Sequence, residues 1–349
     1  MSRGADPWSS CASWRRNLAA CHSRVFQGEA ANPAHFARGA RVVRVAIIGS
    51  GMSGLACARR LKDAGLKPVV YDKGRGIGGR LATRRVEGLQ FDHGAQYVTA
   101  RNDGFSAVLQ GMQAKGAAAL WADGSDKSHI VGVPGMSGLA RALAENLDVC
   151  QLSLVSAVRP SATGWSVHIG EEKHSFDYVV ITVPAPQIAG LLGRDHFIVS
   201  QIADVRFAPC LTLMAAVNNL PPFVRLNDDS HALAWIAQDS SKPGRPRGTI
   251  STWVAHASVD FSTQYLEEDN VSHIARMLPL LCERLCVSTV QVTYAGAHRW
   301  RYARVTAPLG QPFLQTSKTL YAGGDWCIGP RVEAAWTSGD AIDVIFWNK

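Results

Sequence analysis

Apolar runs separated by turns and amphipathic segments predict an α/β fold. Residues 44–48 form a β-branched apolar run typical of a buried parallel strand, and residues 55–61 follow with helical spacing. Gly65 ends this helix, and a second apolar run at residues 68–71 stops at Asp72. The pattern over about thirty residues therefore predicts one β-α-β unit.

Further strand patterns follow in the next hundred residues. Residues 154–158 and 165–169 alternate between apolar and polar positions, which predicts an antiparallel pair. Residues 178–183 form another buried strand, which Pro184 closes. Both kinds of strand are expected in the first domain.

A change of pattern near residue 190 predicts a second domain built on a β-sheet. Strand-like segments at residues 211–217 and 249–254 flank a proline- and glycine-rich loop at residues 241–247. The chain then returns to the earlier pattern, with a strand at residues 319–322 and a terminal helix from about residue 332 to 346. The first domain is therefore predicted to be discontinuous in sequence.

Composition and charge exclude several classes of protein. The 349 residues are 47% hydrophobic, and no apolar run approaches the roughly 18–20 residues that cross a bilayer. Of the net charge of +8, a surplus of five lies in residues 1–44, where seven arginines face two acids. The remainder mixes both signs, so neither nucleic acid nor a membrane is a predicted partner.

The first residues and the cysteines indicate where the protein works. Residues 1–41 are Arg-rich and acid-poor without hydrophobic periodicity, which predicts a disordered leader. The eight cysteines include no Cys-x-x-Cys pair and no cluster with zinc spacing, so no metal is predicted. Reduced thiols in a cytoplasmic protein explain them best.

A glycine-rich turn predicts dinucleotide binding. Gly49 permits a tight bend after the first strand, Gly51 lacks the Cβ that would block a pyrophosphate, and Gly54 allows close helix packing. The free N–H groups at the start of the following helix would face the phosphates. Asp72, at the end of the second strand, is placed for a ribose hydroxyl, although a surface turn residue is the alternative.

Two further features favour FAD over NAD. A second glycine-rich loop at residues 74–80 ends in Arg80, whose guanidinium could contact phosphate oxygens or simply be solvated. Near the C-terminus, Gly324 and Asp325 precede a helix whose N-terminal end could stabilise the flavin N1–C2=O edge. Asp325 could also be an ordinary helix cap.

Taken together, these motifs resemble the flavin amine oxidase superfamily and, within it, bacterial renalase-like proteins. The resemblance extends from about residue 43 to the C-terminus. The segments that carry it are residues 47–55, 72–73, 78–80, 92–97, 134–136, 180–186, 241–245, 252–256, 298–302, 324–327 and 331–339. His93 departs from the pattern, because many relatives have a small or apolar residue there.

The resemblance implies an α/β fold: a Rossmann-like FAD-binding domain of the p-hydroxybenzoate-hydroxylase/amine-oxidase type, with a second, β-sheet-based substrate domain. Residues 42–100, 130–190 and 295–349 are predicted to form the FAD-binding domain, and residues 101–129 and 191–294 the substrate domain. The resemblance also implies non-covalent FAD and the oxidation of dihydro isomers of NAD(P)H to NAD(P)+, with O2 reduced to H2O2. The predicted FAD-binding residues are Gly49, Gly51, Met52, Ser53, Gly54, Asp72, Lys73, Gly79, Arg80, Gly94, Ala95, Gln96, Val155, Gly324, Asp325, Arg331, Val332 and Ala335.

Polar and aromatic residues of the renalase-like segments are the predicted substrate contacts. They are Gln96, Tyr97, Trp253, His256, His298 and Trp326. Aromatic faces could hold a nicotinamide ring against the flavin, and an amide or imidazole could bond its carboxamide. Each could instead be structural, and Trp253 and Trp300 are as well explained as core residues.

Two other functions remain open at this point. A flavin oxidase or dehydrogenase of amines or another small donor would use the same FAD-binding frame. A flavoprotein that senses redox state without turnover would need no substrate site. The sequence has no nucleophile motif and no obvious acid–base motif, which fits simple hydride transfer.

Overall fold

The computed structural model describes residues 43–218 and 221–342. The predicted leader at residues 1–41 and the end of the predicted terminal helix lie outside the described residues. The α-helices of the described chain are α1 Met52–Asp63, α2 Asp103–Ala114, α3 Ser137–Leu143, α4 Ala185–Leu192, α5 Phe197–Gln201, α6 Val259–Gln264, α7 Asn270–Leu285 and α8 Val332–Asp340.

The strands of the described chain fall into two large sheets and three small ones. In chain order they are β1 Val45–Ile48, β2 Val69–Tyr71, β3 Thr83–Val86, β4 Leu89–Asp92, β5 Ala118–Trp121, β6 His129–Gly132, β7 Asp148–Cys150, β8 Val155–Ser161, β9 Gly164–Ile169, β10 Glu172–Phe176, β11 Tyr178–Ile181, β12 Arg206–Val217, β13 Arg225–Asn227, β14 Leu233–Gln238, β15 Ser251–Ala257, β16 Val292–Ala307, β17 Phe313–Ser317 and β18 Leu320–Gly323.

The first large sheet has the order β17-β18-β11-β1-β2-β7. Its strands run parallel except for β17, which pairs with β18 in the antiparallel sense. All four residues of β1 are buried, as expected for a parallel strand covered on both faces. The predicted Rossmann-like sheet and the α/β fold class are therefore confirmed.

The C-terminal helix returns to the start of this sheet. A Cβ on Gly339 of α8 would lie 2.0 Å from the carbonyl oxygen of Ser53 in α1, so the two helices touch backbone to backbone. Outside this sheet, β8 and β9 form an antiparallel pair with β10 added, which matches the predicted antiparallel strands. Val45 and Ile342, near the two ends of the described chain, accordingly lie in one buried core.

The second large sheet is antiparallel, with the order β13-β14-β15-β12-β16. Helix α7 covers one face, where Met277 and Leu281 share a core with Trp253 and Ala255. Residues of the opposite face, such as Met214, pack with the β3–β4 hairpin. The sheet therefore has an α7 face and a face turned to the first domain.

One predicted domain boundary is displaced by this sheet. The boundary at residue 295 falls inside β16, which pairs with β12 over almost its whole length and so belongs to the antiparallel sheet. Residues 101–129 share a core with α1, since Phe105 and Leu109 pack in the same cluster as Leu55. The remaining domain division stays a prediction. Among the described helices, none is long and apolar enough to span a bilayer.

Candidate active site

The glycine turn connects β1 to α1 with little free space on its inner side. Gly49 has a φ of +108°, which favours glycine, and a Cβ there would lie 2.9 Å from Thr182 Oγ1. A Cβ on Gly54 would lie 2.0 Å from the carbonyl oxygen of Gly49. A Cβ on Gly51, in contrast, would meet no protein atom within 4 Å. The space beside Gly51 therefore fits a pyrophosphate that approaches the start of α1.

Asp72 ties the glycine turn to the second glycine-rich loop. Its Oδ2 accepts hydrogen bonds from the backbone N–H (2.6 Å) and the hydroxyl (2.7 Å) of Ser50, and its Oδ1 accepts one from Gly74 N–H (2.6 Å). Gly78 N–H in turn donates to Ser50 O at 2.9 Å. Asp72 is thus not a free surface turn residue; its predicted contact with a ribose stays a prediction.

Arg80 pairs with a residue from the C-terminal segment. Its two terminal nitrogens donate to the two carboxylate oxygens of Asp325 at 2.7 and 2.6 Å, and Nη1 also donates to Ala303 O at 3.0 Å. A guanidinium has five N–H groups, so Nε–H and one Nη2–H remain for another acceptor. The structure therefore anchors Arg80 and still leaves it able to bond a phosphate oxygen.

Asp325 is not the cap of the last helix. It begins a 3-10 turn, Asp325–Cys327, whereas α8 starts at Val332 with Arg331 at its N-cap position. The N–H groups that could face a flavin therefore belong to Val332, Glu333 and Ala334, because Arg331 N–H donates to Gly329 O at 2.8 Å and Ala335 N–H to Arg331 O at 3.2 Å. Of these three, Val332 was predicted from the sequence as FAD-binding. Gly324, with a φ of +154°, allows the turn before Asp325.

The other predicted FAD-binding residues lie in different environments. Met52 and Ser53 are buried in the first turn of α1. Gly79 lies against the glycine turn with a φ of +54°. Val155 is buried at the start of β8. Lys73 is exposed and makes no hydrogen bond to the other predicted FAD-binding residues.

The segment after β4, residues 93–97, joins the glycine loops to the antiparallel sheet. Ala95 N–H donates to Arg80 O at 2.9 Å, and a Cβ on Gly94 would lie 2.0 Å from that same oxygen. From the sheet side, Trp300 Nε1–H donates to His93 O at 2.9 Å. This segment therefore contacts both parts of the predicted site.

A row of side chains crosses the face of the antiparallel sheet that is turned to the first domain. His256 on β15 pairs with Thr212 on β12, and Thr212 pairs in turn with His298 on β16. Directly opposite residues share one face of a sheet, so His256 and His298 flank Thr212. His298 contacts two further rings, with centroid distances of 4.8 Å to His93 and 4.3 Å to Trp300.

The three histidines of this region are held neutral. Burial, followed by the charge of Lys242, lowers the pKa of His256 to about 4, although a hydrogen bond to the His93 backbone opposes the shift. Burial and then Arg84 lower the pKa of His298 to about 4. Burial, His298 and Arg84 together lower the pKa of His93 to about 3. None of the three therefore carries a positive charge near neutral pH.

Gln96 and Tyr97 connect this row to the rest of the site. Gln96 Nε2 lies 3.5 Å from His256 Nε2 and donates to Asp92 O at 2.5 Å and to Gly94 O at 3.1 Å. Tyr97 stacks on His129 with ring centroids 3.6 Å apart. The predicted Gln96, Tyr97, His256 and His298 are thus brought to one region.

Two predicted substrate contacts are placed elsewhere. Trp253 is fully buried on the α7 face of the sheet, where its Nε1–H donates to Ser251 Oγ at 2.8 Å. Trp326 is fully buried as well, packed against Gly324, and donates to Val183 O at 3.1 Å. Both side chains are enclosed by protein atoms, so the prediction that they face the substrate is wrong.

Four buried charges next to Gln96 were missed from the sequence. Asp92, Asp239, Lys242 and Arg245 are all at most 1% exposed in their side chains. Lys242 Nζ lies 2.8 Å from Asp239 Oδ1 and 3.6 Å from Asp92 Oδ2, and Arg245 pairs with Asp92. Despite burial, Lys242 and Arg245 hold the pKa of Asp92 below its usual value. The sequence signal for this cluster is the charged residues of two renalase-like segments, Asp92 in residues 92–97 and Lys242 and Arg245 in residues 241–245.

Two family models match the chain. Residues 47–111 match the NAD(P)-binding Rossmann-like domain, and residues 110–341 match the flavin-containing amine oxidoreductase model. Among curated proteins, protoporphyrinogen oxidase 2 of Arabidopsis thaliana is 36% identical over 69 residues, which are 20% of this chain and 14% of that protein. The 15-cis-phytoene desaturase of Synechococcus elongatus is 47% identical over 45 residues, 13% of this chain and 10% of the relative. The chain thus matches only about a tenth to a seventh of these relatives' length.

Solved structures share the fold over most of the chain. A protein provisionally assigned as a protoporphyrinogen oxidase, from Exiguobacterium sp. 255-15, superposes with a TM-score of 0.72 at 12% identity over 87% of this chain and 98% of its own. Cyclohexylamine oxidase from Brevibacterium oxydans IH-35A gives a TM-score of 0.63 at 11% identity over 86% and 98%. Reduced UDP-galactopyranose mutase gives 0.66 at 13% identity over 87% and 95%. At these identities the likeness establishes the fold.

Proposed function

We propose, from the premise that this chain belongs to the flavin-containing amine oxidoreductase family, that it is a renalase-like FAD-dependent oxidase. The family confirms the flavin cofactor predicted from the sequence. The proposed substrate is a dihydro isomer of NAD(P)H, which is oxidised to NAD(P)+ while O2 is reduced to H2O2. The observation that carries the proposal is the charge around the histidine row.

This charge favours an anionic substrate over an ammonium ion. Asp92 and Asp239 are enclosed together with Lys242 and Arg245, and the formal charges of the four sum to zero. Arg84, which lowers the pKa of His298 in addition to burial, then adds a positive charge near the row. A positive field attracts the pyrophosphate of a dinucleotide and repels a protonated amine.

An aromatic wall next to His256 supports a flat, ring-bearing substrate. Trp235 on β14 pairs directly with His256, and Tyr97 lies 5.7 Å from Trp235 between ring centroids. Both rings are only partly buried. Partly exposed ring faces of this kind can stack on a nicotinamide ring.

Hydride donation by such a substrate requires little acid–base catalysis by the protein. A dihydropyridine becomes aromatic when its hydride leaves, so the main task of the protein is to orient the ring and exclude water. FAD, when bound, accepts the hydride and passes the two electrons to O2. One proton of H2O2 comes with the hydride and the second from solvent.

The roles of this chain's residues follow from their placement. Tyr97 and Trp235 would orient the ring by stacking. His256, neutral near physiological pH, would bond the carboxamide without adding charge. Arg84 would attract the phosphates electrostatically.

The test is anaerobic reduction of the purified, FAD-loaded protein. Mixing with dihydronicotinamide isomers should bleach the flavin absorbance, whereas mixing with amines should leave it unchanged. Admitting air should then restore the absorbance and produce peroxide. Bleaching by amines alone would replace the proposal with the amine oxidase alternative. A flavin reduced only by dithionite would favour the redox sensor.

Paired arginine variants test the charge argument. Arg84→Gln should lower kcat/KM for the dinucleotide about tenfold, which corresponds to about 1.4 kcal/mol. Arg85→Gln is the matched control, because neighbouring residues of β3 point to opposite faces and Arg85 is exposed. Equal effects of both variants would contradict the proposed role of Arg84.

A further inference from the structure

Asp123 is a buried carboxylate that lies outside the row of side chains described above. It follows β5, and its side chain is 1% exposed. Burying a carboxylate is costly unless hydrogen bonds and positive charge compensate it. Ser125 donates its backbone N–H (3.1 Å) and its hydroxyl (2.7 Å) to Oδ1. The other oxygen, Oδ2, is bound by two side chains that also contact the aromatic wall.

The first of these side chains is His129 on β6. Its Nδ1 lies 2.7 Å from Asp123 Oδ2. Burial alone would raise the pKa of Asp123, but hydrogen bonds from Ser125 and His129 hold it below its usual value. An ionised carboxylate can only accept, so the proton between the two groups is on Nδ1. Asp123 therefore orients the imidazole on which Tyr97 stacks, with centroids 3.6 Å and planes 19° apart.

The second side chain is Arg225 on β13. Its Nε lies 2.6 Å from the same Oδ2 of Asp123, as an ion pair. Its guanidinium carbon lies 5.5 Å from the centre of the Trp235 ring, within the range of a cation–π contact. Asp123 therefore also holds the cation that lies over Trp235.

These contacts form a closed ring of five side chains. Asp123 binds His129 and Arg225. His129 lies against Tyr97. Arg225 lies against Trp235, whose ring centroid is 5.7 Å from that of Tyr97. The pKa of Tyr97 reflects the same arrangement, since burial raises it, Arg225 lowers it and Asp123 raises it. Each ring of the aromatic wall thus rests on a group that Asp123 holds.

Burial separates the wall from the groups behind it. Asp123 and His129 are 1% and 3% exposed in their side chains, whereas Tyr97 and Trp235 are only partly buried. A substrate that stacks on the two rings would therefore touch the rings and not Asp123. Any effect of Asp123 on the substrate has to pass through the aromatic wall.

We propose that Asp123 is a positioning residue that fixes the aromatic wall, Tyr97 and Trp235, through His129 and Arg225. The proposal rests on the proposed function, in which the two rings orient the dihydronicotinamide. Hydride transfer is sensitive to small displacements of the donor ring, so a loosened wall should slow flavin reduction. The connection from Asp123 to the wall depends only on contacts within the chain and can be tested without a substrate.

The test without substrate is ¹⁹F NMR of full-length, FAD-loaded protein labelled with 3-fluorotyrosine or 5-fluorotryptophan. The two signals are assigned with Tyr97→Phe and Trp235→Phe variants. Asp123→Asn keeps the shape of the side chain and removes its charge, and it should shift both signals. Asp126→Asn is the matched control, because Asp126 is exposed in the same loop and its replacement removes the same charge. This control should shift neither signal.

The functional test is anaerobic flavin reduction by a dihydronicotinamide isomer. Asp123→Asn should lower the limiting rate at saturating substrate about tenfold, because the donor ring is displaced from the flavin. The same substitution in a Tyr97→Leu, Trp235→Leu background should cause no further loss, since residues that act through one contact are not additive. Asp126→Asn should keep the wild-type rate.

Arg225→Gln is a second variant, which leaves the buried carboxylate in place if Asp123→Asn does not fold. The Arg225 side chain is 25% exposed, and its replacement should shift the Trp235 signal. An unchanged Trp235 signal in this variant would overturn the proposal.

Three results with Asp123→Asn would also overturn it. The first is a pair of unchanged ¹⁹F signals. The second is a lower Tm with the wild-type limiting rate, as expected for a purely structural carboxylate. The third is an equal loss of rate with and without the aromatic wall. A wild-type flavin that no dihydronicotinamide isomer reduces would instead refute the proposed function, so the two failures are distinguishable.

Discussion

Replacing Gly51 by valine should separate the stability of the fold from the binding of FAD. The backbone of Gly51 has a φ of −70° and a ψ of 177°, which an L-residue adopts without strain. An added Cβ meets no protein atom within 4 Å. The free energy of unfolding of the FAD-free protein should therefore change by at most about 0.5 kcal/mol, as for most unstrained substitutions.

The response to FAD should change much more. A ligand at 100 times its Kd stabilises a protein by about 2.7 kcal/mol, and a hundredfold loss of affinity would reduce this to about 0.4 kcal/mol. For domains of this size, 1 kcal/mol corresponds to about 2–4 °C in Tm. The Tm rise on adding FAD should thus fall from about 5–10 °C to about 1 °C, because the valine side chain occupies the space of the pyrophosphate.

Thermal unfolding by circular dichroism, with and without FAD, measures both quantities. The absorbance spectrum of the purified protein reports flavin retention independently. Gly111→Ala in the exposed part of α2 is the control, since its added Cβ also meets no atom within 4 Å but lies far along the chain from the glycine turn. A Gly51→Val protein that purifies yellow with the wild-type Tm rise would refute the placement of the pyrophosphate.

Three further predictions concern the scaffold. Gly54→Ala should lower the Tm of even the FAD-free protein, because its Cβ would lie 2.0 Å from Gly49 O; an unchanged Tm would contradict the tight helix packing. Trp253→Phe should cost about 1–3 kcal/mol in urea unfolding through the lost bond to Ser251, with the rate of flavin reduction unchanged; a slower rate would return Trp253 to the substrate site. His93 is neutral when folded but titrates near 6.5 when unfolded, so stability is complete above pH 6.5 and falls towards pH 3. His93 alone should account for about 2 kcal/mol of the loss at pH 5 in urea unfolding, in addition to the losses from His256 and His298, and a His93→Asn variant with the same pH dependence would contradict this.

The nucleotide-binding frame was predictable because its signals are local. Gly49, Gly51 and Gly54 act within one turn, and each has a steric reason that depends on its immediate neighbours. The buried parallel strands likewise have apolar sequences that require no knowledge of their partners. For these parts the structure agrees with the pattern.

The errors at the substrate site have two different origins. Trp253 and His256 are three residues apart in β15, so strand alternation alone places them on opposite faces, and both could not face one substrate. This error was avoidable. The cluster of Asp92 with Lys242 and Arg245 was not, because partners about 150 positions apart meet only through the packing of the loop after β14 against β4.

The segment from His93 to Tyr97 explains how the two halves of the site depend on each other. On one side, Ala95 N–H bonds the carbonyl of Arg80, whose side chain holds Asp325. On the other side, Gln96 is bonded by Lys242 and faces His256 on the antiparallel sheet. Five consecutive residues therefore connect the predicted flavin loops to the histidine row by direct hydrogen bonds. In the proposed reaction, hydride transfer depends on the distance between the flavin and the substrate, and this one segment contacts residues proposed to bind each of them.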